Sequence, residues 1–525
     1  MTIATTPLGS VSALISMLAS QPEGEWLAQG RALALRSDVP GALAVFEAAS
    51  SRFSDSVDVR LGLAGLLWQN GQSERAEQLL REWLLAHPGD AAAAFLLASL
   101  LREQGRLTAV GEALLSVFAH SHQDVETVIR AVEMLDDYGR PNEAFVICEN
   151  AINDGIDDPR LHAYAGMLGI QLGYFEQTRA HYARALAQTS DAVDWNIPLG
   201  LAGLQRYTDP GHGDFAFFHE LLQRPGLTEQ TRRAVLFALG KAHDDLGEFA
   251  NAARYLGQAN AIAHAGSTWS RKRWKRSIEA RLGAPANPIT LPPADEWTPV
   301  FIVGVPRSGT TLLAQHLARH PDVKVRGELG WLSFWEQRLA STSPSRQSLG
   351  EAATEYARQV RQDDAAAHWY VDKQPLNLLH VDLVMALWPN ARIIHCERDP
   401  RDTALSLWSQ SFHDPAHDYA YDISDIATVI RDCRRLAAHW RVRYPASFLS
   451  VSYERFVEAP ADTLDTVAQW LGLPQASSPG SSPEPGNAIA TASAWQARQA
   501  VYTHSVGRWR HYAPFVPALA AIDIR

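Results

Sequence analysis

VFIVGVPRSGTTLL, Val300 to Leu313, decides how the second half of this chain is read. VFIVGV is rich in β-branched residues and reads as a buried strand. A short turn follows, and then TTLLAQHLARH (310–320) shows helical spacing. Gly304 and Gly309 have the separation of the phosphate loop G-x-x-x-x-G-K-[ST], but Thr310 fills the lysine position and Thr311 follows. Arg307 sits inside the turn instead. A strand that hands through such a turn to a helix aims backbone N–H groups at an anion, with the helix dipole behind them. Ser308, Thr310 and Thr311 add hydroxyl groups, and Arg307 adds a charge that persists at any working pH.

Further strands are expected at WYVDK (369–373), ARIIHCE (391–397) and SFLSVSY (447–453), with NLLHVDLVMALW as a helix between the first two. Strands alternating with helices imply a parallel sheet covered on both faces, with ligands at the carboxyl ends of the strands. Each motif below falls just after one of those ends. GAPANPITLPPADEWTP (Gly283 to Pro299) is proline-rich and unpatterned, and reads as a linker.

The first half has a different grammar. Gly71, Gly105, Gly139 and Gly173 recur at 34-residue intervals, inside QNGQSERA, EQGRLTAV, DYGRPNEA and QLGYFEQT. Apolar residues flank each phrase at helical spacing, so glycine ends one helix and a polar turn starts the next. Small residues follow at Ala76 and Ala144, where two helices must approach closely. Pro88, 17 residues after Gly71, suits the end of the second helix. This period resembles the tetratricopeptide repeat. An earlier unit fits at SDVPGALAVF and a later one at DLGEFANAARYL, after a six-residue slip in phase near TDPGHGDF. Such arrays leave a concave groove, which suits a peptide; a purely structural role is the alternative. RKRWKR (Arg271 to Arg276) reads either as a solvated helix face or as a contact with an anion or the next domain.

The expected architecture is therefore α + α/β: a tetratricopeptide helical solenoid over 1–282, a linker over 283–298, and a P-loop-like α/β domain with a parallel sheet over 299–525. A chain of 525 residues exceeds one core, which agrees. Charge is uneven: 25 Lys+Arg against 35 Asp+Glu in 1–296, and 22 against 23 in 297–525. The acidic first half argues against nucleic acid as a partner. No apolar run is long enough to span a membrane, and the first residues lack the basic start of a signal peptide. Cys148, Cys396 and Cys433 have no metal spacing and suggest no disulfide framework, which fits a cytoplasmic location. Oligomeric state is not legible.

A triphosphate enzyme needs the missing lysine and a magnesium ion, and no acidic partner for that ion follows the next strands. A phosphosulfate has a transferable group with a single negative charge, and dispenses with the metal. PRSGTTL, RGELG, DKQP, ERDPRDTALSLW and a late S-x-W-Q…GRW segment, in that order, resemble the sulfotransferases that use 3′-phosphoadenosine 5′-phosphosulfate (PAPS), in particular the protein-tyrosine sulfotransferases and bacterial proteins that join tetratricopeptide repeats to such a domain. The resemblance implies that Arg307, Ser308, Gly309, Thr310 and Thr311 hold the 5′-phosphosulfate. It assigns Arg398 and Ser406, eight residues apart, to the 3′-phosphate. Glu328, 21 residues beyond Arg307, corresponds to the catalytic base. Lys373 corresponds to a lysine at the bridging oxygen, where it and Arg307 would stabilise the leaving nucleotide. Tyr453 matches a nucleotide contact. Ser493, Gln496 and Arg508 match a cofactor-covering loop, with Arg508 replacing a lysine; Gln410 departs from an arginine of the tyrosine enzymes.

The resemblance implies sulfuryl transfer to a hydroxyl, with PAPS as donor, adenosine 3′,5′-bisphosphate (PAP) as product and no metal. A tyrosine or phenol of a protein or peptide is the expected acceptor, because a phenol ionises more readily than an alcohol. The alternatives are a carbohydrate or small-molecule sulfotransferase and, in another class, a repeat scaffold with a degenerate catalytic half. An ATP-dependent kinase is disfavoured by Thr310.

Overall fold

A computed structural model describes residues 8–119, 123–285, 289–340, 344–412, 414–474 and 503–523. Packing divides the chain into two compact units. One holds the chain up to Asp158 with Gln362–Asp364; the other holds Pro159–Arg361 and the residues from Ala365 on.

The first unit is built of antiparallel helix pairs: Glu23–Leu35 with Val39–Arg52, Val57–Gln69 with Ser73–Ala86, Ala91–Glu103 with Leu107–Phe118, and Val125–Asp137 with Pro141–Asn153. Each turn is made the same way. The N–H after the glycine returns to a carbonyl five residues back: Gln72 to Leu67 (2.8 Å), Arg106 to Leu101 (2.9 Å) and Arg140 to Leu135 (2.7 Å). This closure needs a left-handed residue, which Gly71, Gly105 and Gly139 supply at φ +71° to +74°. Ala76 and Ala144 are fully buried behind the turns. Ser37 stands 34 residues before Gly71 and takes the same place, at φ +64°, with Asp38 N–H bonded to Leu33 O at 3.0 Å. Serine fills a slot that the sequence pattern reads only as glycine.

The second unit opens with two further helix pairs of this kind, Pro159–Leu172 with Phe175–Gln188 and Glu229–Asp245 with Phe249–Ala265. The slip in phase between them is occupied by the short helices Ser190–Trp195, Ile197–Gly203 and Gly213–Gln223. A helix at Arg271–Gly283 follows.

The sheet has five parallel strands: β1 (Thr298–Gly304), β2 (Val323–Val325), β3 (Trp369–Asp372), β4 (Arg392–Glu397) and β5 (Phe448–Ser452). Their order is β2-β3-β1-β4-β5. Only β2 is absent from the sequence reading; three residues are too few to show a pattern. Both faces are covered, so β1 is apolar on both: Val300 and Ile302 join one core with Leu313 and Ile394, while Phe301 and Val303 join another with Tyr370 and Ile393. The chain moves from β1 to either side of it, the geometry that opens a ligand crevice at the carboxyl ends.

The late helices belong to this unit through specific bonds. Asn260 donates to Trp408 O at 2.8 Å, Arg271 Nε to Asp425 at 2.6 Å, Trp274 Nε1 to Asp432 at 3.1 Å, and Arg281 to Glu336 at 2.7 Å. The RKRWKR helix therefore carries contacts with the α/β part. The irregular stretch before β1 is docked as well: Leu291 N–H bonds to Ala386 O at 2.9 Å, and Asn390 exchanges two bonds with the Ala294 backbone.

A Cβ at Gly71 would meet nothing within 4 Å, so its φ alone resists substitution. Gly71→Ala should destabilise the first unit by about 1 kcal/mol, and Ser37→Gly should stabilise it by up to about 1 kcal/mol. Urea unfolding of the two variants checks both signs.

Candidate functional site

The five strands each deliver something to one edge. Beyond β1, the turn Val305–Gly309 leads into the helix Thr310–Leu317. Its backbone is left-handed at Arg307 (φ +74°) and Gly309 (φ +99°). A Cβ on Gly304 would fall 2.5 Å from Cys396 O, and one on Gly309 would fall 2.6 Å from the Tyr453 ring. The turn is thus pressed against β4 and β5, and only glycine fits at these two points. Ser308 is 2% exposed, and its buried Oγ has no hydrogen-bond partner among the described residues. Thr310 is buried and Thr311 half-buried at the start of the helix. An orphaned hydroxyl at a helix N-terminus fits an anionic oxygen.

Beyond β4, the segment ERDPRDTALSLW enters the helix Pro400–Trp408. Arg307 Nε donates to Ser406 Oγ at 3.0 Å, and Arg398 Nη1 donates to Arg307 O at 3.1 Å. Arg398, Ser406 and Arg307 therefore stand together, as their motifs require. The Arg398 guanidinium lies 4.5 Å from the centre of the Tyr453 ring. Among the described residues its buried Nε has no hydrogen-bond partner and no carboxylate pairs with it. These cations and the orphaned Ser308 hydroxyl fit a nucleotide with separated phosphate groups.

Beyond β2 and β3 lie Glu328 and Lys373, which form an ion pair. Lys373 N–H also bonds to Gly327 O at 2.8 Å, which fixes the turn that carries Glu328. The pair is asymmetric: the side chain of Lys373 is 3% exposed and that of Glu328 is 36% exposed. The glutamate is thus the more solvent-accessible partner of the two. Burial pulls the Lys373 pKa below the ordinary lysine range; Glu328 and Asp372 oppose that, and Arg307 adds to it.

The late segment is described from residue 503. Ser493 and Gln496 lie outside the described residues. Arg508 pairs with Asp244, at the end of the helix Glu229–Asp245. The residue of this segment that meets Arg398 and Tyr453 is Ser505: its carbonyl accepts from Arg398 Nη2 at 2.8 Å, and its Oγ lies 2.6 Å from Tyr453 OH.

Sequence reasoning missed three neighbours. Asp402 is 2% exposed and accepts the N–H groups of Gly507 (2.6 Å) and Trp509 (2.9 Å). His417, on the turn Pro415–Tyr421, is stacked on Phe412 at 5.0 Å and has a buried Nδ1 with no hydrogen-bond partner among the described residues. Burial lowers its pKa, and Asp414, Glu328 and Asp418 oppose this. Asp372, next to Lys373, accepts from Tyr356 OH and from Asn377 Nδ2 at 2.9 Å. Asp402 had a local signal in the R-D-P-R-D phrase and Asp372 in DKQP, whereas His417 had none. Among the described residues, no group of three or more His, Cys, Asp or Glu side chains could hold a metal ion.

Residues 299–477 match the model of the Sulfotransferase family, and residues 33–100 match the Tetratricopeptide repeat model. An uncharacterized protein of Aquifex aeolicus is 24% identical over 95% of this chain and 69% of its own length. A putative protein-tyrosine sulfotransferase of Caenorhabditis briggsae is 25% identical over 33% of this chain and 65% of its own. The chain spans less than two thirds of the length of the tyrosine sulfotransferases it matches. The solved sulfotransferase domain of the Synechococcus PCC 7002 olefin synthase is 22% identical over 43% of this chain and 91% of that one, with a TM-score of 0.33.

Burial raises the Asp372 pKa to about 7, with Tyr356, Asn377 and Lys373 opposing. The folded chain then holds a proton that the unfolded chain releases near an ordinary carboxyl pKa. This contribution to stability is full at low pH and is lost as pH rises through about 7. Asp372→Asn removes the titration, so its melting temperature should change less between about pH 5 and 8 than that of the parent. Parallel thermal melts across that range test this, and equal slopes would refute it.

Proposed function

We propose that this protein transfers a sulfuryl group from PAPS to an acceptor hydroxyl, and that the acceptor is a tyrosine or other phenol of a protein or peptide. The observation that carries the reading is the meeting, at one sheet edge, of the Ser308 cradle, the linked Arg307, Ser406 and Arg398, and the Glu328–Lys373 pair. The match of residues 299–477 to the Sulfotransferase family supports it.

Bound PAPS supplies the transferable sulfuryl group. The turn Val305–Gly309 and the hydroxyls of Ser308, Thr310 and Thr311 hold its 5′ side, while Arg398 and Ser406 hold its 3′-phosphate and Tyr453 lies beside the nucleotide. Glu328 takes the proton of the acceptor hydroxyl. Lys373 and Arg307 donate to the oxygen that gains charge as the leaving group departs. Before substrates arrive, Glu328 and Lys373 neutralise each other, which lets a lysine stay buried and charged. A carboxylate base suits a phenol better than an alcohol, because the phenol gives up its proton more readily. The tetratricopeptide region suits a protein acceptor. The compartment assigned is the cytoplasm; among the described residues no helix is long and apolar enough to cross a membrane.

Glu328→Gln should reduce turnover by roughly 10²–10⁴, and Lys373→Ala by about 10²–10³. Transfer of labelled sulfate from PAPS to a panel of tyrosine peptides, phenols and glycans measures both. Full rate in Glu328→Gln removes it as the base, transfer only to glycans overturns the acceptor assignment, and failure to bind PAP overturns the reading as a whole. Because the Lys373 pKa is depressed, activity should fall on the alkaline side below the ordinary lysine range. Lys373→Arg, however reduced in rate, should lose that alkaline limb, since arginine does not titrate there; a pH–rate profile of both proteins decides it.

A further inference from the structure

We infer that Asp244, on the helical part of the second unit, is a positioning residue for the donor-nucleotide site: it anchors Arg508 and so fixes the segment Ser505–Trp509 against Arg398 and Tyr453. This rests on the reading of that site as one for PAPS and PAP.

The segment is held from two sides. On the α/β side, Asp402 takes the N–H groups of Gly507 and Trp509, and the Arg401 guanidinium lies 4.0 Å from the Trp509 ring centre. On the helical side, Asp244 binds the Arg508 guanidinium through one oxygen and Tyr512 OH through the other, the latter at 2.6 Å. His511 stacks on Phe249 with ring centres 4.7 Å apart. Gly507, at φ +73°, makes the bend that lets its own N–H reach Asp402 while the next side chain reaches Asp244.

Ser505 is what this clamp presents. Its carbonyl and hydroxyl meet Arg398 and Tyr453, the groups assigned to the nucleotide. Arg508 points the other way, towards Asp244, and the side chains of the pair are 25% and 18% exposed. An ion pair this shielded is screened less than a surface pair, and its charge-assisted bonds are geometrically demanding. The helical hairpin around Gly247 thereby completes the edge of the nucleotide site, and Arg508 acts there as an anchor rather than as a phosphate ligand.

The test uses the full chain and PAP as the probe. By calorimetry, Asp244→Asn and Arg508→Asp should each weaken PAP binding about ten- to hundredfold, the range for a lost charge-assisted bond. Tyr512→Phe, which keeps the ion pair, should cost less. The double exchange of Asp244→Arg with Arg508→Asp should recover most of the affinity, which a merely structural loss would not do. Without nucleotide, hydrogen exchange at the Gly507 and Trp509 amides should speed up in Asp244→Asn, with the sheet amides unchanged. Single variants that bind and exchange like the parent overturn the inference. So do single losses that the double exchange leaves unrepaired, because Arg508 would then contact the ligand itself. If Asp244→Asn does not fold, Tyr512→Phe and the double exchange carry the decision. A parent protein that fails to bind PAP overturns the donor-site reading, while the exchange measurement still decides the anchoring.

Discussion

Arg307 is a non-glycine residue held at φ +74°, and much of the site depends on its staying there. An L-residue in that region costs about 1–2 kcal/mol, so the surroundings must enforce it. They do so from both ends of the residue. Its carbonyl accepts from Arg398, and its side chain donates to Ser406. One backbone conformation thus links the turn after β1 to the strand end and the helix that follow β4. Gly304 and Gly309 permit the close approach that makes the link possible, since a side chain at either point would strike β4 or Tyr453.

That link gathers positive charge at one edge of a protein whose net formal charge is −11. Arg398 spends its bonds on two carbonyls and an aromatic face and has no carboxylate partner among the described residues. Lys373 is buried and balanced by a carboxylate that is itself partly exposed. The same two residues stabilise each other as an ion pair; in the reaction proposed above, a carboxylate drawn off to the acceptor hydroxyl would leave the ammonium for the developing anion.

What the sequence revealed follows the range of the interactions involved. The left-handed turns are local, so Gly71, Gly105 and Gly139 announce the repeats; Ser37 occupies the same backbone slot with no residue-type signal to betray it. Strands β1, β3, β4 and β5 are long enough to show their apolar content, and β2, with three residues, is not. Arg307, Glu328, Lys373 and Arg398 follow strand ends and Ser406 lies in the helix after β4; motif and position mark them as candidates in the sequence. The partner of Arg508 is not legible, because Asp244 lies 264 residues away and nothing in ALGKAHDDLGEF distinguishes one aspartate from the next. Asp402 shows in the R-D-P-R-D phrase only as a charge, whereas its role is to receive two backbone N–H groups from a segment 105–107 residues later.

The helices from Glu229 to Gly283 carry the repeat pattern, yet they spend their polar side chains on the α/β core. Asn260 is 2% exposed, and its amide nitrogen donates both to Leu256 O in its own helix and to Trp408 O in the helix that carries Ser406. Arg271, Trp274 and Arg281 continue the attachment along the next helix. The two donated bonds tie this helix to the one that carries Ser406, while Asn260 Oδ1 is buried with no hydrogen-bond partner among the described residues. A surface built this way gives the helices a fixed place beside the strand ends. A residue such as Asp244 can then act on the sheet edge across a gap in sequence that no linker could span with the same precision. In this chain the last repeat-like hairpin is structurally part of the α/β unit, joined to it by packed side chains and hydrogen bonds rather than by a length of chain alone.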